Sequence, residues 1–252
     1  MQKYPVVSIV TPSYNQAQYL ARTIESVISQ EYPHLEYRIL DGGSNDGSQA
    51  IIRRFDDRIA YWESGPDAGQ ADAINRGWQR SHGEILAWLN SDDTYEPGAV
   101  SAIAKVFQNH PEIDVVSGDC GVIDEVGRFV SDLQSGDFDI LSILNGNSLP
   151  QQGVFCRRAA VEAAGWLDTR LNYVFDWALW LKLWLHGAKF YHLSRKVANF
   201  RVWGQAKTAS GTVGASLSGG TPFARERLAV LAELRTIEQV ARNSQLSAMF
   251  DT

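Results

Sequence analysis

The chain has 252 residues, of which 44% are hydrophobic and 21% charged, and its formal net charge is -6 at pH 7. That length and apolar content can bury a full core, as one large domain or one domain with an extension, while the acidic balance excludes the basic stripe of a nucleic-acid binder. Cys120 and Cys156 lie far apart with no CxxC pair, which excludes a disulfide framework or zinc site and fits buried thiols in a reducing compartment.

Residues 1–5 run into a strand-like segment without a signal-peptide pattern, and no run approaches the ~18 apolar residues of a membrane span, so a cytoplasmic location is expected. Residues 6–11 are β-branched and predict the first strand, followed by a turn at 12–15. Leu20, Ile24, Val27 and Ile28 recur with helical spacing. Residues 37–40 predict a second strand, closed by the sequence Asp-Gly-Gly-Ser-Asn-Asp-Gly-Ser at 41–48. A helix at 49–55, a short strand at 59–62, a helix at 70–80, a strand at 84–89 and a helix at 97–108 follow. This alternation over the first ~110 residues calls for a parallel sheet with right-handed crossovers.

Beyond Asp114 the pattern changes. Short strands are expected at 115–118, 122–124 and 128–130, the last two joined by a hairpin at Val126 and Gly127, and another at 154–156. A Trp-rich helix at 175–186 ends at Gly187, and strands are expected at 189–192 and 197–202. Residues 209–221, rich in Ser, Gly and Thr, read as a linker or loop, and 225–242 as a helix with Leu228, Leu231, Leu234 and Ile237 on its apolar side. The expected organisation is therefore one α/β domain over 1–208, with a nucleotide-binding half (1–114) and an acceptor or catalytic half (115–208), then a linker and C-terminal helix over 209–252.

The chemistry is expected at the strand ends, because loops at the carboxyl ends of parallel strands converge on one crevice. The apolar run 85–89 leads through Asn90 and Ser91 into two adjacent acids, Asp92 and Asp93. Two neighbouring carboxylates repel unless a cation neutralises them, and a hard divalent ion whose shell is completed by phosphate oxygens does this with one or two protein carboxylates. Two solvated acids in a turn are the plainer alternative. In the first strand-end loop, Tyr14 offers a face for stacking on a base. In the second, Asp41 has the right acceptor for a base N–H, or serves as a turn cap. Gly42, Gly43 and Gly47 allow positive φ and close approach of a ligand. The glycine pattern is neither a dinucleotide fingerprint nor a P-loop.

The blocks Thr11-Pro12-Ser13-Tyr14-Asn15, Asp41 to Ser48 and Asn90-Ser91-Asp92-Asp93 resemble, in order and spacing, the signatures of glycosyltransferase family 2. The resemblance covers residues 6–208. It implies a GT-A fold, with a mostly parallel central sheet, flanking helices and a smaller acceptor-side β/α region. It also implies inverting transfer of a sugar from a nucleoside-diphosphate sugar to a hydroxyl acceptor, a glycan or lipid-linked precursor, with Mg²⁺ or Mn²⁺. In that family Asp41 would bind the nucleobase, Asp92 the ribose, and Asp93, with help from Asp92, the metal. Asn90 departs from the usual Asp of a DxDD pattern.

Other positions follow from the same resemblance and from side-chain chemistry. Gln70 and Asn75 are amides beside the nucleotide, in a segment whose helix N-terminus offers free N–H groups to a diphosphate. Asp67, Gln151, Gln152 and Trp177 are candidates for the donor or acceptor sugar. Asp176, at the start of an apolar helix, matches the family's general base, although helix-dipole stabilisation alone accounts for an acid there. Arg201 and Lys207 would meet phosphate charge, and Trp203 stands where relatives often carry a His. The rivals are a sugar nucleotidyltransferase and a degenerate member that binds nucleotide sugar or glycan without turnover. Peripheral contact with a membrane follows only from the lipid-linked acceptors of relatives, since Arg and Glu are mixed along 225–238.

Overall fold

The computed structural model describes residues 4–133, 136, 138–145, 149–204 and 221–235. The first half alternates as its apolar periodicities dictate. β1 (Val7–Ser13) leads to α1 (Ala17–Ile28), β2 (Leu35–Asp41) to α2 (Ser48–Arg53), and β3 (Tyr61–Ser64) to α3 (Gln70–Gln79). β4 (Ile85–Trp88), a two-residue β5 (Thr94–Tyr95) and α4 (Ala99–Asn109) complete it. The second half contains β6 (Val115–Ile123), β7 (Phe129–Leu133), α5 (Ile140–Asn145), β8 (Val154–Arg157), α6 (Arg158–Ala163), α7 (Phe175–Leu185), β9 (Phe190–Arg201) and α8 (Pro222–Arg235).

One nine-stranded sheet runs through both halves in the order β3-β2-β1-β4-β8-β6-β9-β5, with β7 hydrogen-bonded to β6. The expected α/β architecture is the one observed. β1, β2, β3 and β4 pair in parallel, and so do β6 and β9. Antiparallel pairing is confined to the contacts of β8, β5 and β7. Because β1, β2 and β4 point the same way, their C-terminal loops open at one edge, where a ligand crevice forms.

Each face of the sheet is sealed by its own apolar cluster. α1, α2 and α4 bury Leu20, Ile24, Ile52, Ile103 and Phe107 against one face. α3 and α7 cover the other, with Trp78, Trp88 and Trp180 at its centre. Trp88 stacks on Trp180 at 5.8 Å, and Trp78 meets Trp88 edge-on at 5.4 Å. α7 is apolar around most of its circumference because the sheet, α5 and α6 surround it, and its tryptophans are core.

Three departures from the expected elements have simple causes. The separate strands expected at 115–118 and 122–124 are one strand, β6, and those at 189–192 and 197–202 are one strand, β9. Glycines in β6 mark close approach of β9: a Cβ on Gly118 would lie 2.6 Å from Val197 Cγ2, and one on Gly121 2.5 Å from Asn199 Oδ1. β5, α5 and α6 were not expected, being too short to show a period of their own.

Candidate active site

The edge at the C-terminal ends of β1, β2 and β4 holds a cavity of about 610 Å³. Pro12, Ser13 and Tyr14 reach it from β1, Gly42 from β2, and Asn90, Ser91 and Asp92 from β4. Asp67 and Gln70 enter from the loop and helix after β3, Gln151 and Gln152 from the turn before β8, and Asp176 from the first turn of α7. Residues expected from distant stretches of sequence to share one site thus line a single cavity.

The first two loops are tied together by Asn15, which has a positive φ of 51°. Its amide N–H donates to Ser44 Oγ (2.8 Å) and its Oδ1 accepts from Asn45 N (3.0 Å), so its part here is to hold the loops in register. Tyr14 is left 65% exposed, presenting a bare aromatic face. Thr11 is fully buried and accepts from the Tyr37 hydroxyl. Asp41 is also buried: its Oδ1 accepts from Ser44 Oγ (2.5 Å), and its Oδ2 from Ser44 N (2.9 Å) and Ser64 Oγ (2.5 Å). A carboxylate has about four acceptor positions, so one remains on Oδ1. Gly43 and Gly47 use positive φ, as expected, while Gly42 packs close to Asp67: a Cβ there would lie 2.9 Å from Asp67 Oδ2 and push that side chain aside. Ser13 lines the cavity, and its buried hydroxyl has no hydrogen-bond partner among the described residues.

The paired acids behave differently from one another. Asp92 is partly buried and borders the cavity; its Oδ2 accepts from the indole N–H of Trp203 at 2.9 Å. Burial raises its pKa, against the opposing influence of Trp203, Arg201 and Gln16. Asp93 is 1% exposed. Its Oδ1 accepts from Arg201 N (2.9 Å), and its Oδ2 from Gln152 Nε2 (3.0 Å) and Asn90 Nδ2 (3.2 Å). Burial first, and the adjacent charge of Asp92 second, push the Asp93 carboxyl well above the ordinary range. Asp93 was expected at the metal, yet it lies beneath the cavity with both oxygens occupied by protein donors. The two acids sit in a turn after β4, closed by Asp93 N on the Asn90 carbonyl at 3.1 Å, and the partners packed around it separate them.

An amide chain forms the adjoining floor. Gln70 Nε2 donates to Asn90 Oδ1 (2.8 Å), Asn90 Nδ2 to Gln151 Oε1 (3.1 Å), and Gln151 Nε2 to the Trp88 carbonyl (2.9 Å). An aspartate at position 90 would lose the donors that serve Asp93 and Gln151, which is the structural reason an amide suits this protein. Asn75, expected at the nucleotide, is drawn away: its side chain bonds both the N–H and the carbonyl of Leu167. Trp177, expected at a sugar, is buried with its indole N–H on the Ile143 carbonyl.

Arg201, expected at phosphate, is 1% exposed, and its guanidinium binds the carbonyls of Asp92 (2.7 Å), Asp124 (3.0 Å) and Glu125 (3.2 Å). It also lies 4.8 Å over the Tyr19 ring. Its charge is spent on clamping the acidic loop to the β6–β7 hairpin. Lys207 lies outside the described residues. The role of Trp203 was missed, as was that of Gln16, whose Oε1 accepts from Ser91 Oγ at 2.9 Å. For Trp203 a signal existed: it follows Arg201 by two residues, as side chains on one side of an extended segment do.

No group of three or more His, Cys, Asp or Glu able to hold a metal occurs among the described residues. A single cavity-facing carboxylate, Asp92, is nevertheless an adequate protein contribution for Mg²⁺ or Mn²⁺ when phosphate oxygens and water complete the shell. No helix among the described residues is long and apolar enough to cross a membrane.

A family model described as "Glycosyl transferase family 2" matches residues 8–152. An uncharacterized glycosyltransferase of Mycobacterium tuberculosis is 32% identical over 186 residues, covering 70% of this chain and 68% of that protein. An uncharacterized glycosyltransferase of Nostoc is 29% identical over 192 residues, covering 69% of this chain, which spans 56% of that relative's length. Among solved structures, S. aureus TarS 1–349 in complex with UDP-GlcNAc superposes with a TM-score of 0.77 at 19% identity, over 97% of this chain and 71% of that one. The mannosyltransferase PcManGT from Pyrobaculum calidifontis, in complex with GDP-Man and Mn²⁺, gives 0.62 at 17% identity, over 99% and 74%.

Proposed function

Because the chain belongs to glycosyltransferase family 2, we propose that it moves a sugar, with inversion, from a nucleoside-diphosphate sugar to a hydroxyl of a glycan or lipid-linked acceptor. The observation that carries this reading is the gathering of Tyr14, Asp92 and Asp176 on one cavity of about 610 Å³ at the parallel strand ends. That volume falls in the ~300–1,000 Å³ range of small-molecule sites.

In this reading Tyr14 stacks on the base, and the remaining acceptor position of Asp41 receives a base N–H. Ser13 finds in the donor the partner it lacks. The N-terminus of α3, at Gly69 and Gln70, turns the positive end of its dipole toward the diphosphate. Asp92, not Asp93, would hold a divalent ion. When bound, such an ion offsets the charge that develops on the departing diphosphate. The acceptor oxygen attacks the anomeric carbon as its bond to the diphosphate oxygen breaks, and Asp176 takes the acceptor's proton. Gln151 and Gln152 border the sugar. Asp93 and Arg201 act indirectly, by fixing the backbone that carries Asp92.

Asp176→Asn tests the mechanism. Loss of general-base assistance should cut turnover by ~10²–10⁴-fold. Binding of UDP, GDP or dTDP, screened by thermal shift with Mn²⁺, should stay at the wild-type level. Nucleotide affinity lost in parallel would count against the assignment. A second reading, a member that binds nucleotide sugar without transfer, is favoured by Trp203 occupying one oxygen of Asp92. An assay of donor hydrolysis separates the two, since only a catalyst releases free nucleotide.

A further inference from the structure

The first turn of α7, which carries Asp176, is gripped by two adjacent residues of α8. Glu226 Oε1 accepts from Asn172 N at 2.9 Å, and its Oε2 from Tyr173 N at 2.8 Å and Val174 N at 3.2 Å. Arg227 is 7% exposed, lies 4.8 Å over the Trp177 ring, and donates to the Leu144 carbonyl at 2.6 Å. Three residues before Asp176 and one after it are therefore held from α8. Farther along the helix, Glu233 meets Arg170 at 3.1 Å, and Val230 and Leu234 are buried in the α7-side core.

α7 cannot fix its own start. Val174 precedes it and supplies no capping side chain, and the ends of helices are their least firmly held turns. Asp176 Oδ1 accepts from Trp177 N at 2.7 Å, a contact within its own turn. Three charge-assisted bonds from one carboxylate to consecutive amides anchor that turn to a separate element. Asn172 and Tyr173, whose amides are so held, border the cavity beside Asp176.

We propose that Glu226 and Arg227 are positioning residues for Asp176, so that α8 is a working part of the acceptor wall. This rests on the reading of Asp176 as general base. Placement of a reacting group matters because a misplacement of ~1 Å can cost ~10²-fold in rate. Glu226 acts through the backbone of 172–174, and Arg227 through the Trp177 ring.

The test uses the full chain and three variants, Glu226→Gln, Glu226→Ala and Asp176→Asn. Glu226→Gln keeps the shape but turns an amide N–H₂ toward backbone donors. Amide hydrogen exchange is measured at Asn172–Val174 and at Trp177, whose N–H reports the Asp176 contact. Release of UDP from UDP-N-acetylglucosamine with Mn²⁺, water serving as acceptor, is measured alongside UDP affinity. The expected result for Glu226→Gln is at least tenfold faster exchange at 172–174 and at Trp177, with β1–β4 unchanged. UDP release should fall at least tenfold, with UDP affinity within twofold. Glu226→Ala should do the same more strongly. Unchanged exchange at Trp177 overturns the proposal, and so does normal UDP release in Glu226→Gln where Asp176→Asn abolishes it. If Asp176→Asn matches a releasing wild type, the general-base reading itself fails and the proposal falls with it. If the wild type releases no UDP, exchange at Trp177 decides.

Discussion

The indole N–H of Trp203 donates to Asp92 Oδ2 across 2.9 Å, at the one acid of the adjacent pair that borders the cavity. The ring is braced edge-on against Tyr19 at 5.1 Å. A nitrogen that carries its proton cannot ligate a metal, so Trp203, with Gln16, orients the carboxylate.

Trp203→Phe should therefore weaken Mn²⁺ binding in the presence of UDP by ~10-fold, the lower end of what losing a ligand-orienting partner costs. Trp203→His should restore it, since an imidazole N–H can make the same bond. Electron paramagnetic resonance of free Mn²⁺ reads both. Equal affinity in Trp203→Phe would show that the contact orients nothing of consequence.

Asp92 and Asp93 should separate cleanly by variant. Asp93→Asn turns a donor toward Gln152 and Asn90 or toward the Arg201 amide. A buried donor left unsatisfied costs ~1–3 kcal/mol, so a clear loss of stability in urea denaturation is expected. Asp92→Asn should leave stability near wild type and remove the Mn²⁺ dependence of UDP binding. The reverse pattern would return the metal to Asp93.

Ser13→Ala removes a buried hydroxyl that has no partner among the described residues. Folding stability should hold or rise, while UDP affinity drops about fivefold, the equivalent of one net hydrogen bond of ~1 kcal/mol. Calorimetry and thermal melts on one preparation check both halves. A destabilised variant with normal affinity would place the hydroxyl outside the donor site.

Glu36 supplies a pH prediction away from the cavity. Burial alone would raise its pKa, but the His82 amide, the Ser8 hydroxyl and Arg38 outweigh it and hold the carboxyl at about 2, below its ordinary 4.5. A group depressed on folding stabilises the fold fully above its unfolded pKa, and that contribution is lost as pH falls through the folded value. Stability should thus decline between pH 4.5 and about 2. Glu36→Gln should be less stable at pH 7 and show a shallower acid decline. Parallel stability curves for variant and wild type would refute this.

Much of the cavity lining was legible because strand-end loops write their chemistry in consecutive residues. Asp41, Tyr14 and Asp92 each stand where a hydrophobic strand stops, and β1, β2 and β4 bring those stops together. What sequence did not reveal was side-chain direction after the turn. Asp92 and Asp93 are chemically identical, and only the packing of Gln152 and Arg201 from distant elements makes one a floor support. Asn75 and Arg201 were misread for a related reason: residue type announced hydrogen bonding, but the partners, Leu167 and the 124–125 carbonyls, come from loops with no periodicity. The grip of Glu226 on 172–174 spans more than fifty residues and left no local sign.

The central claim is that Asp92 holds a divalent ion shared with the donor diphosphate. Crystals grown with UDP and Mn²⁺, examined by anomalous diffraction at the manganese edge, test it directly. The expected result is one peak about 2.1 Å from the Asp92 carboxylate, near the hard-cation distance to oxygen, and beyond reach of Asp93. A peak on Asp93, or UDP bound in the cavity with no ion beside Asp92, would contradict the account.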